Sequence, residues 1–255
     1  MITCYILQRQ KKDSLNLVPY WEIEDDLQLD SLVMKTSGML NKQQKDTATI
    51  ALYTAIDFGV DRWIQNKRYI PRLLLSALAF TVSYFFLSLV IRDPIPMVDE
   101  LLISFGLALF SWISIAKRDT RSSIAHYRRH ELKLVANKAE EVIDTKLFEL
   151  EQYLDELSTI DAYELSQALC RIPGASLPGP DFSFDKQELT ELMTLLQANL
   201  KRSQKTLYRM LATVNASRKR NVPNPRLAAS LFHQTVHKNL DLALLAFTVL
   251  LKETI

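Results

Sequence analysis

Two long apolar runs, separated by a few residues, constrain this chain more than any other feature. Leu73 to Ile91 reads LLLSALAFTVSYFFLSLVI, 19 residues without a charge, closed by Arg72 and Arg92. As a helix it spans roughly 28 Å, close to the hydrocarbon thickness of a bilayer. Leu101 to Ala116 reads LLISFGLALFSWISIA, 16 uncharged residues, or roughly 24 Å of helix. Ile95, Pro96, Met97 and Val98 extend it upstream and place Asp99 and Glu100 at an interface. The connection from Arg92 to Glu100 contains Pro94 and Pro96, which predicts a tight extended turn. Core helices of soluble proteins are rarely apolar all round over such lengths. The expected fold class is therefore all-α: an integral membrane protein with a two-span transmembrane hairpin (spans about 72–91 and 97–116) and an extended or bundled cytoplasmic helical region.

Orientation follows from the basic flanks. Arg62, Lys67, Arg68 and Arg72 precede the first run, and Lys117, Arg118, Arg121, Arg128 and Arg129 follow the second. The connection holds only Arg92 against Asp93, Asp99 and Glu100. Positive charge stays cytoplasmic, so both termini are expected there, with a bacterial inner membrane as the location. The first run starts some 70 residues in, after polar sequence, which argues against a cleavable signal peptide. Ser76, Ala79 and Ser83 in the first run, and Ser104, Ala108 and Ser111 in the second, allow close helix approach. Spacing alone leaves open whether they pack the hairpin or join protomers.

Composition excludes several classes. With 31 Lys+Arg against 29 Asp+Glu, the net charge is +2, which gives no argument for nucleic-acid binding. Five Gly disfavour Gly-rich nucleotide loops, and two Cys, at positions 4 and 170, build neither a disulfide framework nor a thiolate zinc cluster. No cofactor is expected.

Residues 1–40 form an N-terminal cytoplasmic segment, partly irregular. Within it Ile2–Leu7 reads as a short strand or docking segment, and the acidic stretch Glu22 to Asp30 as an acid-rich helix start rather than a partner-binding tail. Ala48, Ala51, Leu52, Ala55, Ile56, Val60, Trp63 and Ile64 recur at helical spacing, predicting a helix over 41–70 that leads into the membrane at Pro71. The hairpin occupies 71–117.

Beyond it, residues 118–172 read as a long helix. Leu132, Ala136, Ala139, Ile143, Leu147, Leu150, Leu154 and Leu157 make a near-heptad stripe, the seam of a coiled coil or of intramolecular packing. Capping-box patterns at Ser158 and Asp161 predict a break there, with a short helix to Cys170. A Pro/Gly linker spans 173–184. A C-terminal helical hairpin occupies 185–255, with starts at Asp185 and at Asn224-Pro225. The face Leu189, Met193, Leu196, Leu200, Leu207, Leu211 and Val214 predicts one helix ending at Arg218, Lys219 and Arg220. Leu242–Leu251 is too short to span and reads as a core helix.

No residue set assigns chemistry. His126/His130 and His233/His237 are i,i+4 pairs, weak metal candidates, and Gln234 stands where a zinc protease needs Glu. The serines lack a nucleophile elbow, and Cys4 and Cys170 lack an evident base. Asp99 and Glu100 would form acidic rings at a pore mouth in a symmetric oligomer; the plainer reading is a favourable first helical turn. The expected function is a membrane-anchored helical scaffold or interaction protein, self-associating through its transmembrane and cytoplasmic helices, with the lipid bilayer as partner. The alternative is a small oligomeric cation channel or pore-forming effector; a membrane enzyme comes third.

Overall fold

Ile2–Leu7 is strand β1, and it organises a sheet that helical periodicity does not announce. The computed structural model describes residues 2–10, 12–19, 31–90, 98–179, 182 and 184–254. The acidic stretch of 22–30 and the Pro94/Pro96 turn lie outside them. β2 (Leu15–Leu17) pairs antiparallel with β1, β3 (Leu32–Thr36) pairs parallel with β1, and β4 (Glu140–Ile143) pairs parallel with β3. The order is β2-β1-β3-β4. The fold is mostly helical, with ten helices among the described residues, but not all-α as expected.

The described chain divides into two compact units. The first takes the N-terminal strands, Leu29–Leu52 and Lys138–Ile255; the second is built on Tyr53–Asn137. In the first unit, Tyr5, Leu7 and Leu17 join a helical core, while Cys4, Ile6, Leu32 and Met34 are buried on the sheet's other side. The core centres on α10 (Leu242–Thr254), whose residues Leu242 to Leu251 are all buried. It packs against α5 (Lys146–Thr159), α6 (Ala162–Leu169), α7 (Lys186–Ser203) and α8 (Lys205–Lys219), and α9 (Pro225–Lys238) packs on α6. An apolar run too short to span thus serves as the buried axis of a bundle.

Caps explain the helix starts. Asp161 accepts from the Tyr163 N–H at 2.8 Å, Asp185 from Lys186 at 2.9 Å and Asn224 from Leu227 at 3.1 Å, with Pro225 at the first helical position of α9. Asn41 and Gln44 cap α1 (Lys42–Lys67) reciprocally, at 2.8 and 2.9 Å. Asn221 and Asn239 adopt left-handed conformations after α8 and α9, as Asn does readily.

Two expected helices are broken. The stripe from Leu132 to Leu157 is not one seam: α4 (Ser123–Asn137) ends, β4 intervenes with Ile143 exposed, and α5 begins after it. Leu147, Leu150, Leu154 and Leu157 are buried inside this chain's own core, so that half of the stripe packs intramolecularly. The face from Leu189 to Val214 bends at Gln204, between α7 and α8.

In the second unit, α1 runs up to α2 (Tyr69–Val90) with a turn at Arg68. The Arg68 and Arg72 amides still donate back to Ile64 and Arg68, at 3.0 and 3.1 Å. Pro71 sits in the first turn of α2, where its missing N–H costs least. α3 (Val98–Thr120) packs along α2. Both are long and apolar enough to cross a membrane, and 6% of the apolar window of each is buried. Arg129 and Lys133 of α4 bind Asp57 and Asp61 of α1.

Candidate functional site

Among the clefts lined by polar side chains in the described residues, two bear on function. The first lies where β1 and β3 end. In open sheets, ligands bind outside the carboxyl ends of parallel strands. Here Gln8, Arg9 and Gln10 follow β1, and Ser37, Gly38 and Met39 follow β3; with α5 they line a cavity of about 490 Å³. Glu151 of α5 is 6% exposed and accepts from the Gln8 amide at 2.6 Å. Burial pushes its carboxyl above the ordinary range, opposed by the Ser37 and Gln8 hydrogen bonds, with Asp155 adding to the rise. Asp155 takes the Gln10 amide at 3.3 Å. Both carboxylates therefore satisfy backbone donors where the ladder stops.

Next to this mouth, Arg9 binds Asp241 through two nitrogens, at 2.6 and 3.3 Å, and Lys12 joins at 2.9 Å. Burial raises the Asp241 carboxyl, but the two cations more than reverse it and hold it below the usual carboxylate range. Asp241 also receives the Leu244 amide at the start of α10. The arrangement ties the chain after β1 to the buried helix; it leaves no free base.

The second place is the feet of the α2–α3 pair. Arg72 is 3% exposed and Asp119 4%. They form an ion pair at 3.0 Å, and Arg68 reaches the other Asp119 oxygen at 3.0 Å. The Arg72 guanidinium lies 5.3 Å from the centre of the Trp112 ring, which meets Tyr69 edge-on at 5.5 Å. Further along the pair, Ser76, one turn beyond Arg72 on α2, and Ser104, near the other end of α3, are also buried. The small residues thus pack the hairpin itself. Beside the feet opens a cleft of about 760 Å³ lined by Arg68, Lys117, Arg118, Arg121 and Asp119, with Leu75 and Ile115.

The residues singled out from sequence fall elsewhere. Asp99 and Glu100 occupy the first turn of α3, where the helix dipole favours carboxylates. His126 and His130 are exposed on α4 in the second unit. His233 and His237 are exposed on α9 in the first, with ring centres 4.3 Å apart. Among the described residues no group of three or more His, Cys, Asp or Glu is placed to hold a metal ion. Cys4 and Cys170 are both buried, and burial pushes their thiols to about 12 and about 11, Arg218 opposing the second.

Two residues went unnoticed in the sequence. Glu151 carries no local signal, because its role depends on a strand 143 residues earlier. Asp119 does carry one: a lone acid amid basic residues, placed opposite Arg72 once the runs fold back on each other. Of the basic residues that end α8, Arg218 is bound within the first unit. Arg218 grips Glu253 through two nitrogens at 2.7 Å and donates to the Leu169 carbonyl at 3.0 Å, so it is a structural clamp. Comparison of the chain with protein-family models, with curated proteins and with solved structures finds no match.

Proposed function

We propose that the chain is a membrane-anchored helical scaffold. In this reading the α2–α3 hairpin crosses the bilayer twice and holds the sheet-and-bundle unit at the cytoplasmic surface as the binding surface. One observation carries it. β3 precedes both apolar helices, β4 follows both, and the two strands pair in register from Val33↔Glu140 to Thr36↔Ile143. Paired strands share one side of a membrane, so the chain between them crosses an even number of times. Two helices of spanning length satisfy that parity, and their outward apolar side chains, Leu74, Leu78, Val82, Phe85 and Phe86 among them, are exposed. Those faces are suited to lipid and to self-association with a second hairpin.

The test is membrane extraction combined with end reporters. The chain is expected to stay with membranes through alkaline carbonate, and cytoplasm-active reporters at either end to give signal. Release into the carbonate supernatant would sink the anchor. Reporters active at one end only would break the parity argument. A single-protomer mass in mild detergent would remove self-association while leaving the anchor standing.

A further inference from the structure

We propose that the cleft at the feet of the hairpin binds the headgroup of an anionic phospholipid. The inference rests on the membrane-anchored reading and names a ligand for that anchor. Three properties of the cleft point to it. First, four cations line it, Arg68, Lys117, Arg118 and Arg121, against the single carboxylate Asp119. Asp119 is already held by Arg68 and Arg72, each at 3.0 Å. Among the described residues the side chains of Lys117, Arg118 and Arg121 have no ion-pair partner. The cleft is thus a concave positive surface whose negative charge is spent.

Second, it is built rather than incidental. Asp119 is buried, and its two arginines lock the last turn of α3 against the first turn of α2. Arg121 and Ser122 are turned back onto the end of α3 by amide bonds to the Arg118 and Asp119 carbonyls, at 3.2 and 3.1 Å. The cationic rim therefore follows a rigid corner. Third, the lining changes character within one cavity. Leu75, 51% exposed, and Ile115 line the cleft together with the cations, and they lie inward along the apolar helices. A free phosphate would satisfy the cations alone. A phospholipid satisfies both, with its phosphate among the arginines and its acyl chains along Leu75 and the outer face of α2. Basic pockets between transmembrane helices on the cytoplasmic side recognise anionic headgroups by the same combination.

The experiment uses the full chain, delipidated in detergent and titrated with phosphatidylglycerol, phosphatidylcholine or inorganic phosphate, with retained ligand read by native mass spectrometry. The wild type is expected to retain phosphatidylglycerol in preference to phosphatidylcholine, and millimolar inorganic phosphate is expected not to displace it. Two variants separate a site from a diffuse charge effect. K117Q/R118Q/R121Q removes three charges, each worth about fivefold near an anionic surface, so retention should fall roughly 100-fold. Ser114→Trp keeps every charge and fills the cleft, which Ser114 lines; it should also abolish retention. Equal retention of the two lipids overturns the proposal. So does full phosphatidylglycerol binding by Ser114→Trp, and so does displacement by inorganic phosphate, which would make the ligand soluble. Alkaline carbonate extraction of the membranes from which the chain is purified separates the two readings. Release sinks the anchor, whereas retention in the membrane with no lipid preference sinks the headgroup site alone.

Discussion

Glu151 and Asp241 are two carboxylates of one unit whose burial ends differently. Burial raises Glu151, and two hydrogen bonds recover part of that. At Asp241 burial is outweighed by Arg9 and Lys12. The linkage signs are therefore opposite. A raised carboxyl supports the fold below its ordinary pKa, and that support is lost as pH climbs through the raised value. A lowered one supports the fold above its ordinary pKa, and that support is lost as pH falls through the lowered value. Glu151→Gln keeps an acceptor for the Gln8 amide and removes the buried charge. It should match or exceed wild-type stability at neutral pH and flatten the loss of stability as pH rises from the acid side. Glu151→Leu strands the Gln8 donor and should cost about 1–3 kcal/mol. Urea titrations at several pH values decide this; a Gln variant as damaged as the Leu variant would show that the charge itself is required. Nothing in the sequence marks Glu151 off from its neighbours Glu149 and Glu156. What distinguishes it is a strand end that local spacing does not reach.

Helices with apolar stripes and side-chain caps were legible from the sequence; strands were less so. The starts at Asp161, Asp185 and Asn224 were readable because a cap and the helix it serves are adjacent in the chain. β4 was not, because Ala139 and Ile143 continue the three-and-four spacing of the stripe with no Gly or Pro to interrupt it. Its strand geometry comes from pairing with β3, a partner far back in the chain. The break at Gln204 is silent for a similar reason: the flanking residues Ser203 and Lys205 are no strong breakers, and the turn is set by how α7 and α8 both pack on α10. The hairpin offers a sharper test at this scale. Asp119→Ala leaves the Arg72 guanidinium buried without its carboxylate, with its Nε already lacking a partner, and should cost about 3–5 kcal/mol. The double change Arg72→Met, Asp119→Leu should recover most of that, since a packed apolar pair replaces a buried ion pair at little loss. Thermal unfolding in detergent reads both. A double variant no better than the single one would show that the pair holds something beyond these two helices.

For the whole molecule, the governing fact is that an apolar hairpin is inserted into the crossover between two neighbouring parallel strands. Parallel neighbours always need a long connection, but this one contains both helices of spanning length. Entropy tolerates the insertion, since closing a loop becomes only slowly more costly with length. Geometry is less forgiving. On the proposed two-span anchor, deleting residues 98–116 leaves a single crossing and carries β4 to the far side, away from β3. The sheet-and-bundle unit should then lose its resistance to limited proteolysis. Replacing 73–116 by a short Gly/Ser linker restores parity and should give a folded unit that no longer needs detergent. A single-span deletion that leaves the unit protease-resistant would contradict the insertion reading.

The same crossover imposes an order in time. During synthesis β3 is made before either apolar helix and β4 after both. At about 5–20 residues per second, the hundred or so residues between them occupy several seconds or more. Through that interval β1 can pair one side of β3, while the other side waits with its backbone groups unpaired. The last strand arrives only when both apolar helices have been made. On the proposed two-span anchor, completion of the sheet works as a checkpoint on insertion: a chain with one failed passage is left with an open strand edge, a template for aggregation.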